Sequence, residues 1–191
     1  MIETINLKNR DIMAILNATT TKDLFGNSFS KSKGFETEEY DIMSEYAVSP
    51  SYLQKRLETK SPKIELAHNL IIGESEGGKY FLENLKNLEF TNYYTSGYSP
   101  KGFVGWHSDT DIPGWYIMLS YSTEGEGFFR YLDNGEIITL PDSKGWMIRT
   151  FKLGETDEDV VWHCASTTCT RYTFLLHFDS VDGFTQALNK L

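Results

Sequence analysis

Residues 128–140 read FFRYLDNGEIITL, and this stretch predicts a β-hairpin. Two runs rich in aromatic and β-branched residues flank Asp133-Asn134-Gly135, which favours a tight turn between antiparallel strands. Short runs of the same kind, separated by turn signals, continue in both directions from this hairpin. The stretch therefore favours an antiparallel β-fold for the part of the chain that surrounds it.

The region from residue 88 to residue 178 contains eight such runs. Turn-forming segments separate them, among them Ser99-Pro100-Lys101-Gly102 and Pro141-Asp142-Ser143-Lys144-Gly145. Eight short strands at this spacing are typical of a sandwich or jelly roll. We therefore expect a mainly β fold with flanking helices, in the form of a double-stranded β-helix. The predicted strands are 89–95, 103–107, 115–121, 128–132, 136–140, 146–151, 160–163 and 171–178.

The chain before residue 88 is more polar and carries helix signals. Apolar residues recur at helical spacing in 7–16 and 79–88, and Ser49-Pro50 is typical of a helix start. Residues 19–37 predict a loop or weak strand. The sequence predicts one domain over 1–191. Residues 1–87 would supply helical support and substrate-side elements, 88–178 the jelly-roll catalytic core, and 181–191 a closing helix.

The segment Trp106-His107-Ser108-Asp109 contains candidate metal ligands at the end of a predicted strand. Side chains two residues apart in a strand point the same way, so His107 and Asp109 converge. A third ligand must come from elsewhere, and His163 lies at the end of the run 160–163, before a small polar turn at 164–168. Two histidines and a carboxylate on one face, with open positions opposite, form the facial triad of non-haem Fe(II) oxygenases.

Arg171 opens the last predicted strand, eight residues after His163. Arg171 and Thr173 share a face by the alternation of strand side chains. A guanidinium can hold a carboxylate through two hydrogen bonds, and a hydroxyl can add another. A buried arginine beside a metal needs an anion, so the pair predicts a carboxylate-binding site.

Together these residues resemble the signature of the Fe(II)/2-oxoglutarate dioxygenases. That signature is a His-x-Asp pair, a distal His, and an Arg or Lys about ten residues further on. The resemblance covers about residues 88–178 and is nearest to prolyl-4-hydroxylase-like enzymes and AlkB-type demethylases. The segment 92–97 is similar to the Asn-x-Tyr-x-x-Gly stretch of the AlkB type. This likeness implies that Tyr94 helps to bind 2-oxoglutarate, although Tyr116 or Tyr121 could serve instead.

The resemblance implies an enzyme with Fe(II) as its metal, 2-oxoglutarate as co-substrate and O₂ as oxidant. The expected reaction is hydroxylation of a peptide, an amino acid or another small molecule. One alternative is an AlkB-like nucleic-acid demethylase, although the last strand lacks the second arginine of that type. Another is a cupin-like metalloprotein that works without 2-oxoglutarate. The helical half and the loops 93–102 and 111–114 would set the substrate.

Composition limits the partners. The net charge is −9 and the sequence pI is about 4.9, so no overall field attracts phosphate backbones, which makes nucleic acid a weaker expectation. The cysteine count and the apolar runs indicate the compartment. Two cysteines are too few for a secreted disulfide scaffold.

Neither a signal peptide nor a membrane helix is predicted, so we expect a cytoplasmic protein. Arg130 and Arg149 lie on predicted strands and could contact substrate or co-substrate, but surface ion pairs are their expected role.

Overall fold

The structure is a computed structural model that describes residues 2–19, 37–73, 76–109, 112–154 and 160–191. The loop or weak strand predicted over 19–37 lies outside the described residues except for its two terminal positions. Asp111, in the second of the predicted substrate loops, lies outside them as well.

Helices precede and follow the strand-rich region. The helix start predicted at Ser49 is present, because the Ser49 hydroxyl accepts a hydrogen bond from the Tyr52 N–H at 3.2 Å and Pro50 occupies the first turn. Among the described residues, no helix has the length and apolar character needed to cross a bilayer. The helices are α1 (Arg10–Ala18), α2 (Thr37–Ala47), α3 (Pro50–Thr59), α4 (Glu76–Glu83) and α5 (Val181–Lys190), with a 3₁₀ turn at Lys86–Leu88.

The strands form one curled antiparallel sheet in the order β1-β7-β4-β9-β3-β8-β5-β6, and β2 pairs with β3. They are β1 (Glu3–Ile5), β2 (Ala67–Ile72), β3 (Asn92–His107), β4 (Gly114–Ser122), β5 (Gly127–Asp133), β6 (Glu136–Pro141), β7 (Gly145–Leu153), β8 (His163–Thr167) and β9 (Arg171–Phe178). The predicted hairpin is β5–β6, which turns at Asn134-Gly135 with positive φ at both residues.

Strand β3 belongs to both walls of the fold. Its residues 92–98 pair with β9 and its residues 102–107 pair with β8. Between these halves the strand bends, and Lys101 takes a φ of +64°. The chain therefore forms two four-stranded walls, β7-β4-β9-β3 and β3-β8-β5-β6. This arrangement is a jelly roll, so the prediction of a mainly β, double-stranded β-helix with flanking helices is confirmed.

Several predicted boundaries are wrong. The runs 89–95 and 103–107 belong to one strand, because the segment 99–102 bends β3 instead of ending it, and 93–102 is therefore no loop. The run 160–163 is not a strand that ends at His163. His163 begins β8, and the predicted polar turn is the strand itself, held between β3 and β5. The predicted helix 79–88 begins earlier, at Glu76, and ends at Glu83.

Alternation along the strands separates two cores and so positions a cavity. In β4, Ile117 and Leu119 face the helices, where they pack with residues such as Phe81. Tyr116 and Met118 face the opposite way and pack with residues of the second wall, including Phe129. The space between the walls is therefore lined from both sides.

Candidate functional site

A cavity of about 410 Å³ lies between the two walls, a size typical of small-molecule sites. Most of its lining is apolar, with two polar regions. We call His107, Asp109 and His163 the histidine group. We call Arg171 and the side chains that contact it or share its carboxylate partner, namely Ser120, Asp142, Arg149 and Thr173, the arginine network.

Strand pairing brings the histidine group together. His107 is the last residue of β3 and lies directly opposite His163, the first residue of β8. The centroids of the two imidazole rings are therefore only 4.2 Å apart. The Asp109 carboxylate lies 3.9 Å from Nε2 of His107 and 3.4 Å from Nε2 of His163. One ligand atom from each residue lies within 4.8 Å of the other two, so the group could hold a metal ion.

Backbone contacts fix the orientation of both rings. Nδ1 of His107 lies 2.8 Å from the Gly105 carbonyl oxygen, and Nδ1 of His163 lies 2.9 Å from that of Val161. A carbonyl oxygen only accepts hydrogen bonds, so each Nδ1 carries a proton, and in the neutral ring the lone pair is therefore on Nε2. Metal-binding histidines are oriented in this way. The three residues therefore fit a metal in chemistry as well as in position.

Burial and mutual charge set the protonation of the group. Burial, aided by repulsion from His163, lowers the pKa of His107 to about 4, so this ring is neutral at pH 7. Burial also opposes charge on His163, but the hydrogen bond and the electrostatic attraction to Asp109, together with the contact to the Val161 carbonyl, raise the pKa of His163. The contact with His163, acting against burial, holds the pKa of Asp109 well below its usual range. A neutral imidazole and a carboxylate are thus ready to bind a cation.

Arg171 is almost fully buried, and much of its guanidinium is already engaged. Nε donates to Asp142 Oδ2 at 2.9 Å, Nη1 to Thr173 Oγ1 at 2.9 Å and Nη2 to Ser120 Oγ at 3.4 Å. The guanidinium carbon lies 5.4 Å from the centre of the Tyr98 ring. Arg171 and Thr173 share a face, as alternation predicts, and both line the cavity.

The sequence did not indicate the partners of Arg171. Asp142 lies in a segment interpreted only as a turn, yet its side chain is fully buried and its Oδ1 also accepts from Arg149 Nη2 at 3.2 Å. The surface role predicted for Arg149 is wrong, because the residue is buried on β7. Arg149 lies two residues before Phe151, which lines the cavity, so both side chains point to the same face of β7. This spacing could have indicated that Arg149 faces the interior. Two guanidinium groups and one carboxylate give the arginine network a net charge of +1.

The tyrosines considered for 2-oxoglutarate occupy different places. Tyr94 lines the cavity, and its hydroxyl accepts from the Asn92 amide at 3.2 Å. Tyr116 lines it too, but its hydroxyl donates to the Ile112 carbonyl at 2.6 Å. Tyr121 packs against Trp146 in the helix-facing core instead. Tyr98, which the sequence did not single out, lies in the cavity wall beside Arg171.

Comparisons with known proteins find remote likenesses in structure only. No family model and no curated protein matches the sequence. The structure is similar to that of OsALKBH1, with 13% identity over 73% of this chain and 90% of that chain and a TM-score of 0.39. It is similar to a Pseudomonas putida prolyl-4-hydroxylase, with 16% identity over 88% and 99% of the two chains and a TM-score of 0.38.

The Drosophila melanogaster CENP-C cupin domain is similar at the same level, with 11% identity over 91% of this chain and 100% of that chain and a TM-score of 0.37. Likenesses this remote assign no activity, and the fold rests on the strand order itself. The chain is a jelly-roll protein in which two histidines and an aspartate could hold a metal ion.

Proposed function

We propose that the protein is a mononuclear non-haem Fe(II) oxygenase that uses 2-oxoglutarate and O₂. His107, Asp109 and His163 would hold the iron. Arg171 and Thr173 would bind the distal carboxylate of 2-oxoglutarate, with Tyr94 at the cavity wall as a further contact. The observation that carries the proposal is that one cavity is lined both by a facial-triad set of ligands and by Arg171, whose buried network of two guanidinium groups and one carboxylate has a net positive charge.

Charge complementarity supports this co-substrate. Fe(II) beside the Asp109 carboxylate leaves one positive charge at the histidine group, and the arginine network supplies one more. A molecule with a carboxylate at each end matches this distribution, and 2-oxoglutarate is such a dianion. A low-dielectric cavity makes the match stronger than it would be in water.

Bound iron would supply the activation of O₂, coupled to oxidative decarboxylation of 2-oxoglutarate to succinate and CO₂. The protein's own residues bind and orient. The backbone carbonyls of Gly105 and Val161 hold the two rings with Nε2 toward the carboxylate of Asp109. Apolar side chains such as Met118 and Phe129 exclude water from the space around them.

The substrate would be a peptide, an amino acid or another small molecule. Ile64 and Ile72 line the cavity and are also solvent-exposed, which gives the entrance an apolar character. An apolar entrance and a net charge of −9 do not favour a nucleic-acid backbone, so demethylation of nucleic acid ranks below hydroxylation.

A cupin-like metalloprotein without 2-oxoglutarate is the second candidate, and one observation favours it. Arg171 already has a buried anion partner in Asp142, so its charge has a structural use in the absence of any ligand. This candidate shares the metal site and differs only in the co-substrate.

Anaerobic titration with Fe(II), with and without 2-oxoglutarate, tests the proposal. We expect the weak visible charge-transfer band of the 2-oxoglutarate chelate in the wild type and no band in His163→Ala. Tight metal binding without this band would reject the hypothesis that the protein uses 2-oxoglutarate and would leave the cupin-like alternative.

A further inference from the structure

Arg149 is a buried charge beside the proposed co-substrate site without being part of the cavity wall. It lies on β7, and its Nη2 contacts Asp142 Oδ1 at 3.2 Å and the Pro141 carbonyl at 3.0 Å. The described residues that line the cavity include Arg171 and exclude Arg149. Arg149 therefore does not contact a ligand in the cavity directly, and its link to Arg171 is the shared carboxylate of Asp142.

The charge balance shows what that effect would be. Arg171 and Asp142 alone would form a neutral pair, with little net attraction for a further anion. Because Arg149 binds the second oxygen of the same carboxylate, the three groups together keep one positive charge. All three side chains are at least 97% buried, so this charge is poorly screened by solvent.

The hydrogen-bond inventory of Arg171 leaves room for a ligand. A guanidinium has five N–H donors, and the contacts to Asp142, Thr173 and Ser120 use three of them. Two donors have no partner among the described residues, and two is the number that a bidentate carboxylate accepts. Arg171 thus combines free donors with a charge that depends on Arg149.

We propose that Arg149 is a positioning residue for co-substrate binding. By neutralising Asp142 it keeps the charge of Arg171 available to the distal carboxylate of 2-oxoglutarate, which Arg149 does not touch. This inference rests on the proposed function, and it adds a residue from outside the cavity to the determinants of co-substrate choice.

The test compares two ligands in four forms of the protein. The ligands are 2-oxoglutarate and 2-oxopentanoate, which has the same chain length and keto acid but ends in a methyl group. The forms are the wild type, Arg149→Met, Arg149→Lys, and the double variant Arg149→Met with Asp142→Asn. Affinity is measured anaerobically from the chelate band of the Fe(II) protein, and thermal unfolding confirms that each variant is folded.

We expect the wild type to prefer 2-oxoglutarate over 2-oxopentanoate. Arg149→Met should lose about tenfold or more of this preference, because Asp142 then cancels the charge of Arg171. Arg149→Lys should keep most of it. The double variant should regain it, because removal of the carboxylate charge restores the net charge of +1. A merely structural role for Arg149 would make the double variant no better than the single one.

The outcomes separate this inference from the function on which it rests. A wild type that binds both ligands equally, or neither, would reject the use of 2-oxoglutarate itself. A wild type with a clear preference that Arg149→Met retains in full would overturn the role of Arg149 alone. Failure of the double variant to recover the preference would overturn the charge-balance argument.

Discussion

The histidine group and the arginine network both contribute to the lining of one cavity, but the carboxylates in the two differ in their burial. The Asp109 side chain is 48% exposed, so water can solvate its charge before any ligand binds. In the arginine network Asp142 is fully buried, and the side chains of Arg149 and Arg171 are 3% and 2% exposed. Loss of a partner for these buried charges therefore destabilises the fold.

This difference implies that substitutions in the two groups affect metal binding and stability to different extents. Removal of the exposed Asp109 carboxylate should abolish ligand binding and leave folding nearly intact. Changes in the arginine network should affect folding and binding together. The following predictions test this contrast between the two groups.

The largest effect is expected at the histidine group. His107→Ala, Asp109→Ala and His163→Ala should each weaken Fe(II) binding by about 10²-fold or more. Loss of a residue that only hydrogen-bonds a metal ligand already lowers metal affinity by about 10- to 100-fold, and loss of a ligand should cost at least as much. Asp109→Ala should change the free energy of unfolding of the apoprotein by no more than about 1 kcal/mol. Metal titration and urea unfolding measure the two quantities.

The matched control is His177→Asn, which alters a buried histidine bound to the Pro113 carbonyl, outside the ligand group. Equal loss of metal affinity in this variant would show that any buried histidine matters, and the contrast would fail.

Next in size is the effect of Asp142→Ala on stability. The change leaves two buried guanidinium groups without a carboxylate, which typically costs about 3–5 kcal/mol. Urea unfolding of the apoprotein measures it. The control is Glu124→Ala, which removes an exposed ion pair to Lys144 at 2.8 Å and should cost less than about 1 kcal/mol. Similar losses in both variants would contradict the burial argument.

A smaller effect is expected for Arg171→Met, now on co-substrate binding. The affinity for 2-oxoglutarate should fall by about 10- to 100-fold, because a charge-assisted pair of hydrogen bonds is lost. Fe(II) affinity should stay the same, since Arg171 is not in the ligand group. Arg130→Met removes a cation outside the cavity lining and serves as the control. Unchanged 2-oxoglutarate affinity in Arg171→Met would make the assigned role wrong.

The smallest effect concerns the two cysteines, one beside each polar region. Burial raises the pKa of Cys164, which follows His163. Burial acts the same way on Cys169, but hydrogen bonds from the Ser122 and Thr167 hydroxyls and from backbone N–H groups prevail, lowering its pKa to about 7. Its thiolate forms as pH rises through that value, so alkylation should accelerate between about pH 6 and pH 8.

Mass spectrometry after iodoacetamide treatment would locate the modified thiol, and Cys169→Ser should abolish the reaction. Faster modification of Cys164 would contradict the expected difference in pKa.

Local pattern indicated three residues that the structure brings together, and their role as ligands stays a prediction. The reasons from the sequence were only partly right, because Asp109 lies beyond the end of β3 and His163 begins a strand instead of ending one. The actual contact depends on the register between β3 and β8, which the sequence did not show. Strand β8 was missed because its small residues Cys164, Ala165, Ser166 and Thr167 carry little strand signal alone. They form a strand because β3 and β5 provide partners on both sides.

The arginine network was only half predictable. Alternation placed Thr173 beside Arg171, and the two side chains are 2.9 Å apart. Asp142 could not be inferred, because a Pro-Asp-Ser segment predicts a turn whether its carboxylate faces solvent or the interior. The bend in β3 was missed for a similar reason. Pro100 and Gly102 signal a reversal, yet β3 pairs with β2 on both sides of this segment, with a shift in register between them.

That bend also bears on how the chain folds. Strand β3 pairs with the nearby β2, but its partners in β8 and β9 lie far along the sequence, from 56 residues away for His107 with His163 to 85 residues for Asn92 with His177. Pairing with β8 and β9 is slow to form, because a large loop must close before those contacts form. During synthesis, β3 could pair with β8 and β9 only after these strands had left the ribosome. The ligand set would then be completed among the last events of folding, which would delay metal capture until most of the chain is in place.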